Sequence, residues 1–431
     1  MKSKIVTILN SLTSSRFRRN TVVQVRADLV TQGLLLLATP ILTRLFSPDD
    51  FGLAGLFSIA AAFVAAIATF RFDWSIPSAK TPRDAEVLLG FSVLSTLAFT
   101  LLLLGVFTIP EQAVLFAVFG LAPVPFAPLV PILAFASSMF AILSSVYVRD
   151  GNLHFVSQSK YIQSGTQLFS SLTTGAAGLG ASGLVLSYTV AGVAGVLNLT
   201  RQLPRQMWLG VTYFADYGRI LRQYVRQASL STAVNLANFA FNNSLPLLLL
   251  LGYSTYEVGI YLVVMRLANT PALLVSGGIS SSFWSEAARL AKTDIKGLRK
   301  FYLKVVRRLA LFAAPLSVVC LAGSFVLPHI LGYDKWQQTG VILAACLPQI
   351  VGAFIFSSTN HLIVYDRQGY QLLSDMLAIG ASIGALAMAV VFKLPFWAAV
   401  LSISSMMFLS YLLRFALHLK ANRDMGRCHE V

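Results

Sequence analysis

The residues best placed to do chemistry are polar groups inside long apolar runs. Arg266 stands about nine residues into one such run, roughly 14 Å deep at 1.5 Å per residue. From there a guanidinium cannot easily reach an interface, so it either holds an anion or ties helices together through carbonyls. Asn269, Thr270, Ser276 and Ser280 continue the same helical face. Arg26 lies nearer the start of the first run. Helical side chains lean toward the N-terminus, so Arg26 can capture a phosphate or snorkel to headgroups. Asp28 is about 200° from Arg26 around a helix and faces elsewhere. Gln24, Asp28 and Gln32 share a face at four-residue spacing. Asp28 can bind a coupling cation or proton, or pair with a neighbouring helix. A further stripe, Ser231, Asn235, Asn238 and Asn242, suits sugar hydroxyls and equally suits hydrogen bonds between helices. Gln349, Asn360, His361 and Asp375 are additional candidates, the last two near the ends of their runs, where gating or interface contacts are the safer reading.

The elements that must carry these residues follow from composition. The 431 residues are 56% hydrophobic and only 12% charged, against about 25% charged in a soluble domain. So much apolar surface excludes an ordinary soluble enzyme, a disordered chain and a disulfide scaffold. The apolar runs are about 20 residues long, the length of helical membrane spans rather than barrel strands. Twelve such windows lie near 21–43, 52–77, 87–109, 127–148, 155–178, 182–200, 228–252, 257–283, 304–328, 338–363, 370–391 and 395–417. The stretch 113–126, broken by Pro123 and Pro125, reads as a loop or short interfacial helix. The expected class is an all-α polytopic membrane protein.

Charge orients the spans. With both termini cytoplasmic, 28 of the 33 Lys and Arg residues fall on the inner side and three (Arg44, Lys335, Lys393) on the outer. Such asymmetry is what the positive-inside rule predicts. It accounts for the net charge of +16 through topology and anionic lipid headgroups, without nucleic acid. The same explanation covers the basic clusters Arg201–Arg226 and Arg289–Arg308. Cys320, Cys346 and Cys428 form no metal spacing and no disulfide framework.

The chain also repeats itself. Ser47, Asp50 and Gly52 after the first span recur as Ser254, Glu257 and Gly259 after the seventh, displaced by 207 residues. Pro40 and Pro246 sit inside the preceding spans. Each motif is locally a capping box, Ser at the N-cap with an acid three residues on. Together they point to a duplicated unit of six spans, 1–210 and 211–431. Because six is even, both units insert the same way up, with the site expected between them around an axis along the membrane normal.

The run Pro40-Ile-Leu-Thr-Arg-Leu-Phe-Ser-Pro-Asp-Asp-Phe-Gly52 resembles the early signature of polysaccharide exporters. These are the lipid-linked oligosaccharide (O-antigen-type) flippases of the multidrug/oligosaccharidyl-lipid/polysaccharide exporter superfamily. Gly259 to Pro271 resembles that family's eighth span, and Ile279 to Ala288 the passage that follows. The resemblance implies two six-helix bundles around a central cationic cavity, alternating access, and a polyprenyl-pyrophosphate-linked glycan as cargo. It implies an inner-membrane location, membrane lipids as surroundings, a polysaccharide polymerase and a chain-length regulator as partners, and a monomer. Arg266, with Arg26, would hold the pyrophosphate. Asn269, Asn235, Asn238, Asn242, Gln24 and Gln32 would line the sugar cavity, and Asp28 or Asp375 would couple an ion. No cofactor, metal or catalytic residue is expected, and no ATP-binding Gly-Lys-Ser/Thr loop occurs. Three rivals remain: a drug/cation antiporter of the same superfamily, which would favour cavity acids; a membrane glycan polymerase, which would carry a large charged outer loop; and the fourteen-helix exporters of cell-wall precursor, two spans longer than this chain.

Overall fold

A computed structural model describes residues 15–107, 128–268, 290, 295–356 and 368–428. All regular elements among them are helical. The α-helices longer than four residues are α1 (Ser15–Leu45), α2 (Pro48–Ala68), α3 (Pro82–Phe107), α4 (Leu129–Asp150), α5 (Leu153–Ala176), α6 (Gly180–Gln202), α7 (Phe214–Gly252), α8 (255–268), α9 (Ile295–Leu331), α10 (Thr339–Ala345), α11 (Leu347–Phe356), α12 (Gln368–Val391) and α13 (Phe396–Cys428). Among the described residues, each of the twelve apolar windows holds a helix or, for α10 and α11, a helix pair. Stretch 113–126 lies outside the described residues.

Seven of these helices are long and apolar enough to cross a membrane, and α10 with α11 makes an eighth. The chain is therefore a multi-pass helical membrane protein. The α10–α11 pair bends by 48°. Pro348 explains the break, since it donates no backbone hydrogen bond and its ring crowds the carbonyl one turn earlier. Helices α1, α5 and α7 occupy their windows with a more polar face. The outward side of α9 carries Leu311, Phe312, Val318, Val319 and Phe325 in the open, a surface only hydrocarbon can cover.

The second span is shorter than the sequence predicts. Helix α2 stops at Ala68, not near residue 77, because Phe70 and Arg71 turn into the left-handed region (φ 47° and 57°). A tight 3₁₀ turn, Phe72–Ser75, follows.

Contacts divide the chain into two compact units. One comprises 1–38 and 57–236, the other 39–56 and 237–431. In the first, α5 packs along α6, α4 lies against α3 and α6, and a 3₁₀ segment, Arg205–Thr212, lies against α3. Its core gathers Phe72, Ile76, Leu88, Ile142, Leu143, Leu199 and Ile220. In the second, α13 packs against α11 and α12, and α9 against α10 and α11. Phe241, Tyr302, Phe354, Phe356 and Tyr411 lie in its core.

The two repeated motifs both belong to the second unit. In the first, the Asp50 carboxylate accepts from the Ser47 amide and hydroxyl, both at 2.8 Å, and the Asp50 amide donates back to the hydroxyl. In the second, Glu257 accepts from the Ser254 amide at 3.0 Å and hydroxyl at 2.9 Å. These are the capping boxes read from the sequence. Trp336 is fully buried beside them, its ring centroid 5.6 Å from that of Phe51 in a T-shaped contact and its Nε1–H donating to the Thr43 carbonyl at 3.0 Å.

Candidate functional site

Within the first unit the charges carried on helices come as partners. Lys160 on α5 donates to the Asp28 carboxylate on α1 at 2.6 Å. This resolves what Asp28 faces: a neighbouring helix carries its counter-charge. Yet the pair is not sealed, since the Asp28 side chain is 47% exposed and that of Lys160 24%. An ion pair so open cannot face hydrocarbon; it requires water. The adjoining positions on α5 are polar too. Asn198 on α6 donates to the Ser159 hydroxyl at 2.7 Å, and Gln202 donates to Gln158 at 3.2 Å. Along α1, Gln24 is half-buried, while Arg26 and Gln32 are exposed.

Arg71 is a further cation of this unit, which the charge count had placed in the inner loop. One end of its guanidinium, Nη2, donates to the Asn235 side-chain oxygen on α7 at 2.5 Å. Its plane lies over the exposed ring of Trp74, 4.4 Å from the centroid. Nη1 is 4.0 Å from Asp73, the weak limit of an ion pair. Nε is buried and has no hydrogen-bond partner among the described residues. Asp73 is buried and accepts from the Thr69 hydroxyl at 2.8 Å. Burial pulls the Arg71 guanidinium down from its ordinary pKa and pushes the Asp73 carboxyl up.

In the second unit Asp375 on α12 and Arg414 on α13 form a buried ion pair. Arg414 Nε also donates to the Ser374 hydroxyl at 3.0 Å. The guanidinium lies 4.8 Å from the Phe241 ring and 5.4 Å from the Tyr411 ring, which compensate its desolvation. Tyr411, Arg414, His418 and Asn422 make one buried stripe along α13, with His418 stacked on Tyr302 at 4.9 Å. Arg266 is half-buried on α8. Asn242 is exposed, but its amide donates to the Asn238 carbonyl at 2.8 Å. Gln349 accepts from the Tyr261 hydroxyl at 3.4 Å. Asn269, Thr270, Ser276, Ser280, Asn360 and His361 lie outside the described residues, as does the Ser231 side chain.

The stripe read on α7 is thus divided. Asn235 belongs to the first unit and holds Arg71, whereas Asn238 and Asn242 belong to the second. Lys160, Arg71 and Arg414 are the charged residues that sequence reasoning missed as site elements. The i, i+4 spacing of Arg414, His418 and Asn422 was the one available signal of a buried polar face.

Solved structures of similar fold belong to transporters. The chain superposes on an inward-facing multidrug-resistance MATE family transporter of the MOP superfamily with a TM-score of 0.67 and 13% identity, over 92% of this chain and 96% of that one. It superposes on the lipid II flippase MurJ, inward closed, with a TM-score of 0.69 and 12% identity, over 93% and 89%. A MOP superfamily transporter from Pyrococcus furiosus gives a TM-score of 0.60 and 13% identity, over 95% and 96%. At such identity these likenesses establish the fold. None of the curated proteins searched matches the chain significantly. The family model described as polysaccharide biosynthesis protein matches residues 41–340. Covering more than half of the sequence, that match establishes that the chain belongs to the polysaccharide biosynthesis protein family.

Proposed function

We propose that the protein flips a polyprenyl-pyrophosphate-linked oligosaccharide across the bacterial inner membrane by alternating access, supplying O-antigen, exopolysaccharide or a similar surface glycan. The observation that carries this reading is the half-exposed Asp28–Lys160 pair. A lipid-facing ion pair this open would be costly, so the pair supports a wet face on the first unit, and a sugar headgroup needs such a path. Arg266 and Arg26 supply cations for the pyrophosphate. Gln24, Gln32, Asn238, Asn242 and Asn269 supply hydrogen-bonding groups for sugar hydroxyls. In this reading both termini lie in the cytoplasm, and the excess of basic residues on that side supports it.

The antiporter reading fares less well. Both acids it would rely on are already matched by a cation, Asp28 by Lys160 and Asp375 by Arg414, and a paired carboxylate binds a second cation poorly.

The test is translocation in proteoliposomes. Protein is reconstituted with a fluorescent polyprenyl-pyrophosphoryl oligosaccharide, and the fraction reaching the far leaflet is read with a membrane-impermeant glycosidase. Transfer faster than in protein-free vesicles, and lowered at least tenfold by Arg266→Ala, is expected. Transfer no faster than the lipid background, with or without an ion gradient, would end this reading.

A further inference from the structure

The Arg71 guanidinium presents an edge with a vacancy in its hydrogen bonding. Nε and Nη2 lie along one side of an arginine fork, the side that grips two oxygens of a phosphoryl or carboxylate group at once. Here Asn235 contributes a single oxygen, which meets Nη2 and leaves Nε buried and unmatched among the described residues. An unmet buried donor costs about 1–3 kcal/mol. Two consecutive non-glycine residues in the left-handed region, Phe70 and Arg71, add strain of the kind that accumulates at ligand clamps. The Arg71 stem could run out to water past Trp74, which is 57% exposed.

Position adds a second argument. Arg71 follows the inner end of α2 and Trp74 is an exposed aromatic of the kind that marks the membrane–water boundary. That is the level at which a lipid-linked pyrophosphate lies before it is moved. The nearby acid is muted. Asp73 is turned to the Thr69 hydroxyl and sits at the 4.0 Å limit from Nη1, on the opposite end of the guanidinium from Nε.

We infer that Arg71 is a loading site for the pyrophosphate of a lipid-linked substrate at the inner interface, with Asn235 as the placeholder that two phosphoryl oxygens displace. The inference rests on the flippase reading but assigns a residue and a step which that reading does not contain. Displacement removes the Asn235 tie between α7 and the turn that follows α2.

The experiment is equilibrium binding to the full-length protein in phosphatidylcholine nanodiscs. The probes are a polyprenyl pyrophosphate doped into the disc, free inorganic pyrophosphate, and phosphatidylglycerol doped in place of the pyrophosphate lipid. Wild type should bind the polyprenyl pyrophosphate, with free pyrophosphate competing weakly and phosphatidylglycerol not at all. Arg71→Gln should weaken binding at least tenfold. Arg71→Lys should weaken it several-fold, because the fork is lost. Asn235→Ala should tighten it two- to tenfold, since the competitor is gone. Arg83→Gln, which removes a guanidinium paired with Asp216 on the same side, should change nothing. A purely structural tie would make Asn235→Ala as damaging as Arg71→Gln, and that result overturns the inference. Undiminished binding by Arg71→Gln also overturns it while leaving the flippase reading intact. A wild type that binds no polyprenyl pyrophosphate, or only the free ion, overturns both.

Discussion

Gly52 and Gly259 lie against each other's helix starts. A methyl group on Gly52 would collide with the Thr255 carbonyl, and one on Gly259 with the Pro48 carbonyl. The two contacts exchange under the 207-residue displacement that relates the repeated motifs, and Gly55 facing the Leu262 side chain continues the pattern. The glycines of the repeat therefore do more than end a capping motif. They let α2 and α8 touch backbone to backbone across a local two-fold, as small residues do between membrane helices. The Thr255 hydroxyl closes the contact by donating to Asp49 at 2.7 Å.

Substituting either glycine should therefore cost stability in a way ordinary helical glycines do not. Gly52→Ala and Gly259→Ala should each destabilise by about 1–3 kcal/mol through overpacking. Gly380→Ala, where an added methyl meets nothing within 4 Å, should be neutral or slightly stabilising, since alanine is the better helix former. Thermal unfolding of the three variants in one detergent gives the comparison. Equal melting shifts at Gly259 and Gly380 would refute the close contact.

These features were legible to different degrees in the sequence. Span positions were readable because hydrocarbon imposes both length and composition. The capping boxes were readable because their partners are three residues apart. The ion pairs were not, because Lys160 is 132 residues from Asp28 and Arg414 is 39 from Asp375. A charge count assigns a lysine or arginine in the end turn of a span to the nearer water, whatever face it occupies. Lys160 and Arg414 were counted in that way and so lost from the site. The early end of α2 was also hidden. Residues 69–76 alternate Phe70, Phe72, Trp74 and Ile76 with polar residues and hold no proline or glycine to mark a stop, so the end shows only in the left-handed backbone at Phe70 and Arg71.

The Asp375–Arg414 pair should behave as structure rather than as an ion-coupling site. Breaking a buried pair strands the other charge, at a cost of about 3–5 kcal/mol. Asp375→Ala and Arg414→Ala should each lose an amount of that order. The double variant should lose clearly less than their sum, because neither charge is then stranded. A double-mutant cycle in unfolding measures the coupling. An Asp375→Asn variant that melts with wild type but no longer transports would instead restore the coupling role.

Asp28–Lys160 should show the opposite balance. The pair is open to solvent, so its contribution to stability is on the order of 0–1 kcal/mol. Lys160→Met and Asp28→Asn should melt close to wild type, while translocation falls about tenfold or more in the assay above. Restored transfer in the charge-exchanged variant Asp28→Lys/Lys160→Asp would indicate that the pair, not either charge alone, keeps the path wet. A large melting loss with unchanged transfer would instead mark the pair as a structural strut.

Asp73 predicts a pH dependence of defined sign. Burial is the main cause that raises its folded-state pKa above the unfolded value, against the opposing hydrogen bond from Thr69. An acid shifted upward favours the folded state only while it is protonated. Its contribution is therefore fully present below the unfolded pKa, near 3.8, and is lost as pH rises through the higher folded value. Asp73→Asn keeps an acceptor for the Thr69 hydroxyl and cannot ionise, so the variant should be spared that loss. Relative to wild type, it should gain stability as pH rises from 4 toward the folded pKa of Asp73 and show its least advantage at the acid end. Unfolding midpoints of both proteins across that range would test the sign. An advantage that shrinks with rising pH would mean that the ionised carboxylate is held favourably by Arg71, so that the pair, rather than burial, governs this turn.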